Sequence, residues 1–252
     1  MNNPWFNLLP AQGKNVVRLY CLPYAGASHS VFQHWQRFYE EDIELALVKY
    51  PGRGARYLAP LHDNLQHLVS DLAKTIALDD NKPFALFGHS MGSLIAFELA
   101  HHLKENYGLS ALALFVSGGT APSLRHKKKT IHNLSANDFS EKVIAMNGIP
   151  EEIATNPELM NFFLPILRHD FTLYEQHIYR KRPPLDCPIT VFGGRGDPNI
   201  NEHHLMGWKQ ETKQAFTLKW FDGDHFFLFQ HERLLADIIR KAVTPELFTL
   251  TS

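Results

Sequence analysis

Short apolar runs and helically spaced apolar positions take turns along this chain. Residues 15–22 form a β-rich run that stops at Pro23, before the small-residue loop Tyr24-Ala25-Gly26-Ala27-Ser28. Residues 30–39 read as a helix, and Ile43–Val48 as a second strand closed by Pro51-Gly52-Arg53-Gly54. Leu65, Leu68, Val69, Leu72 and Ile76 recur at the spacing of one helix face, which predicts an amphipathic helix on a sheet. A buried strand over Phe84-Ala85-Leu86-Phe87 then runs into Gly88-His89-Ser90-Met91-Gly92 and directly into an apolar-periodic helix, residues 94–103. Further strands are expected at 111–116, 188–192 and Phe216–Phe221, with a closing helix at 234–243. Strands alternating with helices imply a mostly parallel sheet covered on both faces.

The alternation breaks between about residues 124 and 184. Ser135 with Asp138 looks like a capping pair, and Asn156-Pro157 like an N-cap with proline at the first helical position. The second of these helices carries Leu159, Phe162, Phe163, Ile166 and Leu167, with Pro165 placed to bend it. The expectation is one α/β domain over residues 1–252, with an inserted helical lid at about 124–184. A chain of 252 residues is long enough to bury such a core without staples.

Composition narrows the partners. A formal net charge of -1 gives no electrostatic reason to expect nucleic acid or an anionic membrane. Two cysteines, Cys21 and Cys187, make no disulfide framework, and no apolar run approaches membrane-spanning length. The N-terminus shows neither a basic n-region nor an apolar h-region. A cytoplasmic monomer is expected.

Gly-x-Ser-x-Gly between a strand and a helix is the context of a nucleophile elbow. Glycines at 88 and 92 permit the sharp turn, and Ser90 is left exposed on it. Acyl transfer by serine needs a base, and an acid that orients the base. In the α/β-hydrolase fold these follow in the order Ser, acid, His, which Ser90, Asp197 and His225 reproduce, each just beyond a strand end. Asp222 and Asp224 flank the histidine too closely to reach Nδ1 easily, Asp170 falls in the lid, and the strand before offers only Ser117-Gly118-Gly119. Two N–H donors for an oxyanion are assigned to Ala25 and Met91, although the small residues around Ala25 would also serve a tight turn alone. The pairs His101-His102 and His203-His204 suit surface positions better than a metal, since neighbours on a helix do not face one site. His89 is expected to be structural. The run Lys127-Lys128-Lys129 is a solvated face or a contact for an acidic partner.

Leu22-Pro23-Tyr24-Ala25-Gly26, Trp35, Tyr50-Pro51-Gly52-Arg53-Gly54 with Arg56, Gly88-His89-Ser90-Met91-Gly92, and Asp224-His225-Phe226-Phe227-Leu228 resemble the external type II thioesterases of nonribosomal peptide and polyketide synthases. Leu164-Pro165, Arg168, Asp170-Phe171 and Cys187-Pro188-Ile189 extend the likeness over nearly the whole chain. The resemblance implies hydrolysis of misprimed or stalled acyl groups from the phosphopantetheine arm of carrier proteins, with no cofactor of the enzyme's own. It also implies Ser90, Asp197 and His225 as the triad, and Ala25 and Met91 as the oxyanion hole. Ala27 and Asp224 stand where that family commonly has glycine. Medium-chain fatty-acyl thioesterases share much of the pattern, a general carboxylesterase would use the same triad, and a non-catalytic carrier-binding subunit is the remaining alternative.

Overall fold

The computed structural model describes residues 3–13, 16–79, 82–125, 130–146, 149 and 151–244. Its strands are β1 (Phe6–Leu9), β2 (Val17–Leu22), β3 (Ile43–Val48), β4 (Phe84–His89), β5 (Leu114–Ser117), β6 (Ile189–Gly194) and β7 (Phe216–Phe221). They form one seven-stranded sheet in the order β1-β3-β2-β4-β5-β6-β7. Neighbours from β3 to β7 pair in parallel, while β1 closes the far edge antiparallel to β3, with Phe6 opposite Val48. This is the α/β architecture expected from the sequence.

Side-chain alternation sorts the sheet into two faces. Tyr20 and Leu22 of β2, Ala46 and Val48 of β3, and Leu86 of β4 face a layer built from α1 (Leu65–Ala77) and α2 (Met91–Tyr107). Leu19, Cys21, Leu45, Leu47, Ala85 and Phe87 point the other way, onto Phe32 and Trp35 and onto α7 (Glu232–Val243). Because both faces are covered, the central strands are buried along their whole length and read as unbroken apolar runs. Asn64 caps α1 by accepting the His67 N–H, and Gly108 in a left-handed conformation ends α2.

Three differences from the sequence expectation have local causes. β1 was not expected: it is a four-residue edge strand of which only Phe6 is buried, in a segment rich in asparagine. The helix expected at 30–39 is a 3-10 helix, His29–Phe38, capped by Ser28; its buried Phe32 and Trp35 are three apart, a spacing that suits either helix type. The strand expected at 111–116 begins three residues later, as β5.

Between β5 and β6 the chain forms α3 (Ala136–Ile144), α4 (Glu151–Ala154) and α5 (Pro157–Gln176). Ser135 caps α3 through the Asp138 N–H, and Asn156 caps α5 with Pro157 in the first turn, as the sequence predicted. These helices share a small core of Ile131, Phe139, Val143, Met160 and Leu167. α6 (Glu202–Met206) follows β6. The run His126-Lys127-Lys128-Lys129 lies outside the described residues. No helix among the described residues is long and apolar enough to cross a membrane.

Candidate active site

Parallel strands deliver their exit loops to one edge, where ligands gather in such sheets. Ser90 leaves β4 there, Asp197 leaves β6 and His225 leaves β7. Ser90 has φ 54° and ψ −116°, and among the described residues it is the one non-glycine with a positive φ. That backbone costs on the order of 1–3 kcal/mol, so its surroundings must hold it. Its N–H donates to the Ser117 carbonyl at 2.7 Å, and Ser93 Oγ ties Gly88 to Ser117 with bonds of 2.8 and 2.9 Å to their carbonyls. Gly88 and Gly92 are required for a different reason. A Cβ at Gly88 would strike the backbone of Gly92 and Ser93, and one at Gly92 would strike the carbonyls of Leu22 and Pro23. The elbow and the β2 exit loop therefore touch backbone to backbone. α2 begins at Met91, three residues before the start expected from the sequence, so the helix N-terminus lies directly behind Ser90.

Asp197 Oδ2 is 2.5 Å from Nδ1 of His225, and Oδ1 accepts the Asn199 N–H at 2.9 Å. The Asp197 side chain is fully buried while that of His225 is 19% exposed, which leaves the imidazole reachable. Burial pushes the Asp197 carboxyl up, but the His225 and Asn199 hydrogen bonds outweigh it and hold it below the usual range. Of the rival acids, Asp222 is 92% exposed beside Arg195, Asp224 accepts the Phe226 N–H at 2.8 Å, and Asp170 is buried elsewhere. The His225 ring centroid lies 5.0 Å from that of His89, the residue before the serine. No Ser90–His225 hydrogen bond is formed among the described residues, which is common at such sites before substrate binds.

His89 is fully buried, with Nδ1 2.9 Å from Ser117 Oγ. Burial, and secondly the neighbouring His225, push its pKa well below the usual value, so it stays neutral and acts as a packing wall for the His225 ring.

The β2 exit loop turns tightly: the Ala27 N–H donates to the Tyr24 carbonyl at 3.1 Å, with Gly26 at φ 80° in the third position. What holds this turn is absent from the sequence reading. The Gly26 N–H donates to Asp170 Oδ2 at 2.7 Å, and Arg53 grips the same carboxylate with both terminal nitrogens, NH2 at 2.6 Å from Oδ1. Arg53 also stands over the Tyr50 ring at 5.5 Å, and the Tyr50 hydroxyl donates to the Pro23 carbonyl. Burial works against the charge on both partners; their mutual attraction prevails and keeps Asp170 low and Arg53 high. Phe163 and Leu167 of α5 lie directly on Gly26. A signal for Asp170 exists in the sequence: it falls on the buried stripe of α5 with Met160, Leu167 and Leu173, where a carboxylate needs a partner.

Of the histidines expected at the surface, His203 is exposed and His102 and His204 are partly so, but His101 is buried with its ring 4.7 Å from that of Phe97; among the described residues no group of three or more His, Cys, Asp or Glu side chains could hold a metal ion. Cys21 and Cys187 are free and buried.

Comparison with known proteins gives a consistent family. The thioesterase domain family matches residues 17–242. Gramicidin S biosynthesis protein GrsT of Aneurinibacillus migulanus is 36% identical over 239 residues, covering 95% of this chain and 93% of that protein. The solved structure of BorB, the type II thioesterase from the borrelidin biosynthetic cluster, superposes with a TM-score of 0.88 at 32% identity, covering 96% of this chain and 98% of that one. YbtT, the type II thioesterase of the yersiniabactin pathway, gives a TM-score of 0.83 at 33% identity, covering 95% and 97% of the two chains.

Proposed function

We propose, from the premise that this chain belongs to the thioesterase domain family, that it hydrolyses acyl thioesters carried on the phosphopantetheine arm of carrier proteins in nonribosomal peptide or polyketide synthesis, clearing misprimed or stalled units. The observation that carries this is the buried Asp197 bound to a partly exposed His225, at the same sheet edge as a strained Ser90 at a helix N-terminus. Ser90 Oγ attacks the thioester carbonyl while His225 Nε2 takes its proton. Asp197 holds the ring in the tautomer with Nε2 free and stabilises the imidazolium. The carbonyl oxygen, now anionic, accepts from the Ala25 and Met91 N–H groups. Collapse expels the pantetheine sulfur, which His225 protonates. Water then attacks the acyl-serine by the same route, releasing the acid and restoring Ser90.

This reading requires no cofactor, and it places the enzyme in the cytoplasm as a monomer whose partner is the loaded carrier protein. The α3–α5 segment over residues 124–184 serves as its lid, inserted into a single domain. The resemblance to synthase-associated enzymes, BorB and YbtT among them, supports the carrier-bound substrate.

Mass spectrometry of carrier proteins loaded with a panel of acyl chains, before and after enzyme addition, tests the reading. Loss of acyl mass is expected with wild type, and Ser90→Ala should reduce turnover by roughly 10³-fold or more. Equal turnover of matched oxygen esters, or clearance undiminished in Ser90→Ala, would overturn it.

A further inference from the structure

We infer that Asp170, clamped by Arg53, is a positioning residue for the oxyanion hole: it holds closed the turn whose first peptide carries the Ala25 N–H. The inference rests on the proposed assignment of Ala25 as an oxyanion donor. Gly26 N and the Ala25 carbonyl belong to one planar peptide, so the 2.7 Å bond from the Gly26 N–H to Asp170 fixes which way that plane faces. A turn of this kind has two accessible orientations of its central peptide, and a positive φ at the third residue belongs to the one seen here. Reversal would aim the Ala25 carbonyl at a buried carboxylate and leave the Asp170 oxygen without its donor. The Ala25 N–H shares its own peptide plane with the Tyr24 carbonyl, which accepts the Ala27 N–H at 3.1 Å, so it keeps its direction while the turn stays closed, and the Asp170 bond at Gly26 holds the turn in that form.

Charge makes the hold firm. Asp170 is 1% exposed and its oxygens are shared between Gly26 and the two Arg53 nitrogens, a fork geometry that leaves the carboxylate no other orientation. Arg53 in turn reaches the carbonyl of Ala27, the next residue of the same turn, at 3.5 Å. Residues 117 apart in sequence thus brace the third and fourth positions of one four-residue turn. Because Asp170 sits on α5, the brace is complete when α5 is seated, which ties the hole's geometry to that helix.

The test compares two neutral pairs. Asp170→Asn with Arg53→Gln keeps an oxygen for the Gly26 N–H, whereas Asp170→Leu with Arg53→Met removes it without leaving a buried charge. The apolar pair is expected to lower kcat by about 10- to 100-fold with KM within about two-fold, since a misaimed donor acts on the transition state. Affinity for an acyl trifluoromethyl ketone, whose adduct oxygen occupies the hole, should fall by the same factor. The amide pair should recover kcat to within about three-fold of wild type. If the apolar pair does not fold, Asp170→Ala with Arg53→Gln takes its place in the comparison. Equal kcat in the pairs with and without the oxygen, or a kcat loss with unchanged ketone affinity, would overturn the inference. Should Ser90→Ala retain turnover, the functional reading falls; should Ser90→Ala be inactive while both pairs match wild type, the positioning role alone falls.

Discussion

At Ser90 the backbone is held at φ 54° by neighbours that are themselves backbone, and this makes the site intolerant of single atoms. Gly92→Ala adds one methyl against the Leu22 and Pro23 carbonyls, between the loops that carry the two proposed oxyanion donors. We expect turnover to fall at least about 100-fold, because misplacement near 1 Å has that effect, with a smaller change in thermal unfolding. Asp170 makes a separate prediction about acid. Its folded pKa lies below the ordinary 3.8, so its contribution is fully present above that value and is lost as pH falls through the folded one. The Asp170→Leu, Arg53→Met pair lacks this term. Its unfolding temperature should therefore decline less than wild type between about pH 4 and about pH 2, as followed by circular dichroism. A decline as steep as wild type would show that other carboxylates dominate acid unfolding.

Among the elements, the 3-10 helix His29–Phe38 is anchored almost entirely by Phe32 and Trp35, both fully buried against Phe87 of β4 at ring centroid distances of 5.5 and 4.8 Å. Trp35→Ala should cost about 3–5 kcal/mol in urea unfolding. What could be read from the chain follows from how each element is buried. β2, β3 and β4 are enclosed on both faces, so their apolar runs need no alternation to be recognised. β1 is half-exposed and borrows its order from β3, which no local pattern records. Ser90, Asp197 and His225 were legible because each follows a strand that declares itself, and parallel pairing carries the strand ends to one edge. The Arg53–Asp170 pair was not, since nothing local links a glycine-flanked arginine to a carboxylate 117 positions away. In the sequence Asp170 reads as a rival acid in the lid and Arg53 as part of a strand-closing loop, without a link between them.

Across the whole molecule, α5 and the chain after it are fastened to the sheet at two separated points. Near the site the tie is Asp170 to Arg53; farther out, Glu98 of α2 receives Nε2 of His177 at 3.1 Å and Arg182 at 2.8 Å on both oxygens. Arg168 and Glu175 add hydrogen bonds to the segment before α3, through the His132 and Leu134 carbonyls and the Ile131 and His132 N–H groups. All of these lie C-terminal to Pro165. Before it, Leu159 is 46% and Phe162 53% exposed, the latter stacked on an equally exposed Tyr57. Pro165 has no N–H to give, so the helix lacks a rung where the hydrogen-bonded half meets the half held by apolar contacts at Met160 and Phe163.

That missing rung divides α5 by time as well as by contact. Amide exchange at Met160 to Leu164 should run well ahead of exchange at Leu167 to Leu173, and Pro165→Ala should narrow the gap by restoring the bond to the Asn161 carbonyl. The exposed side of that outer stretch, with Leu159 and Phe162, is then held less firmly than the inner half. For the proposed lid, the expectation is two clocks: an inner half that keeps the reacting geometry standing ready, and an outer half that sets how often a chain is admitted to it and how soon the product leaves.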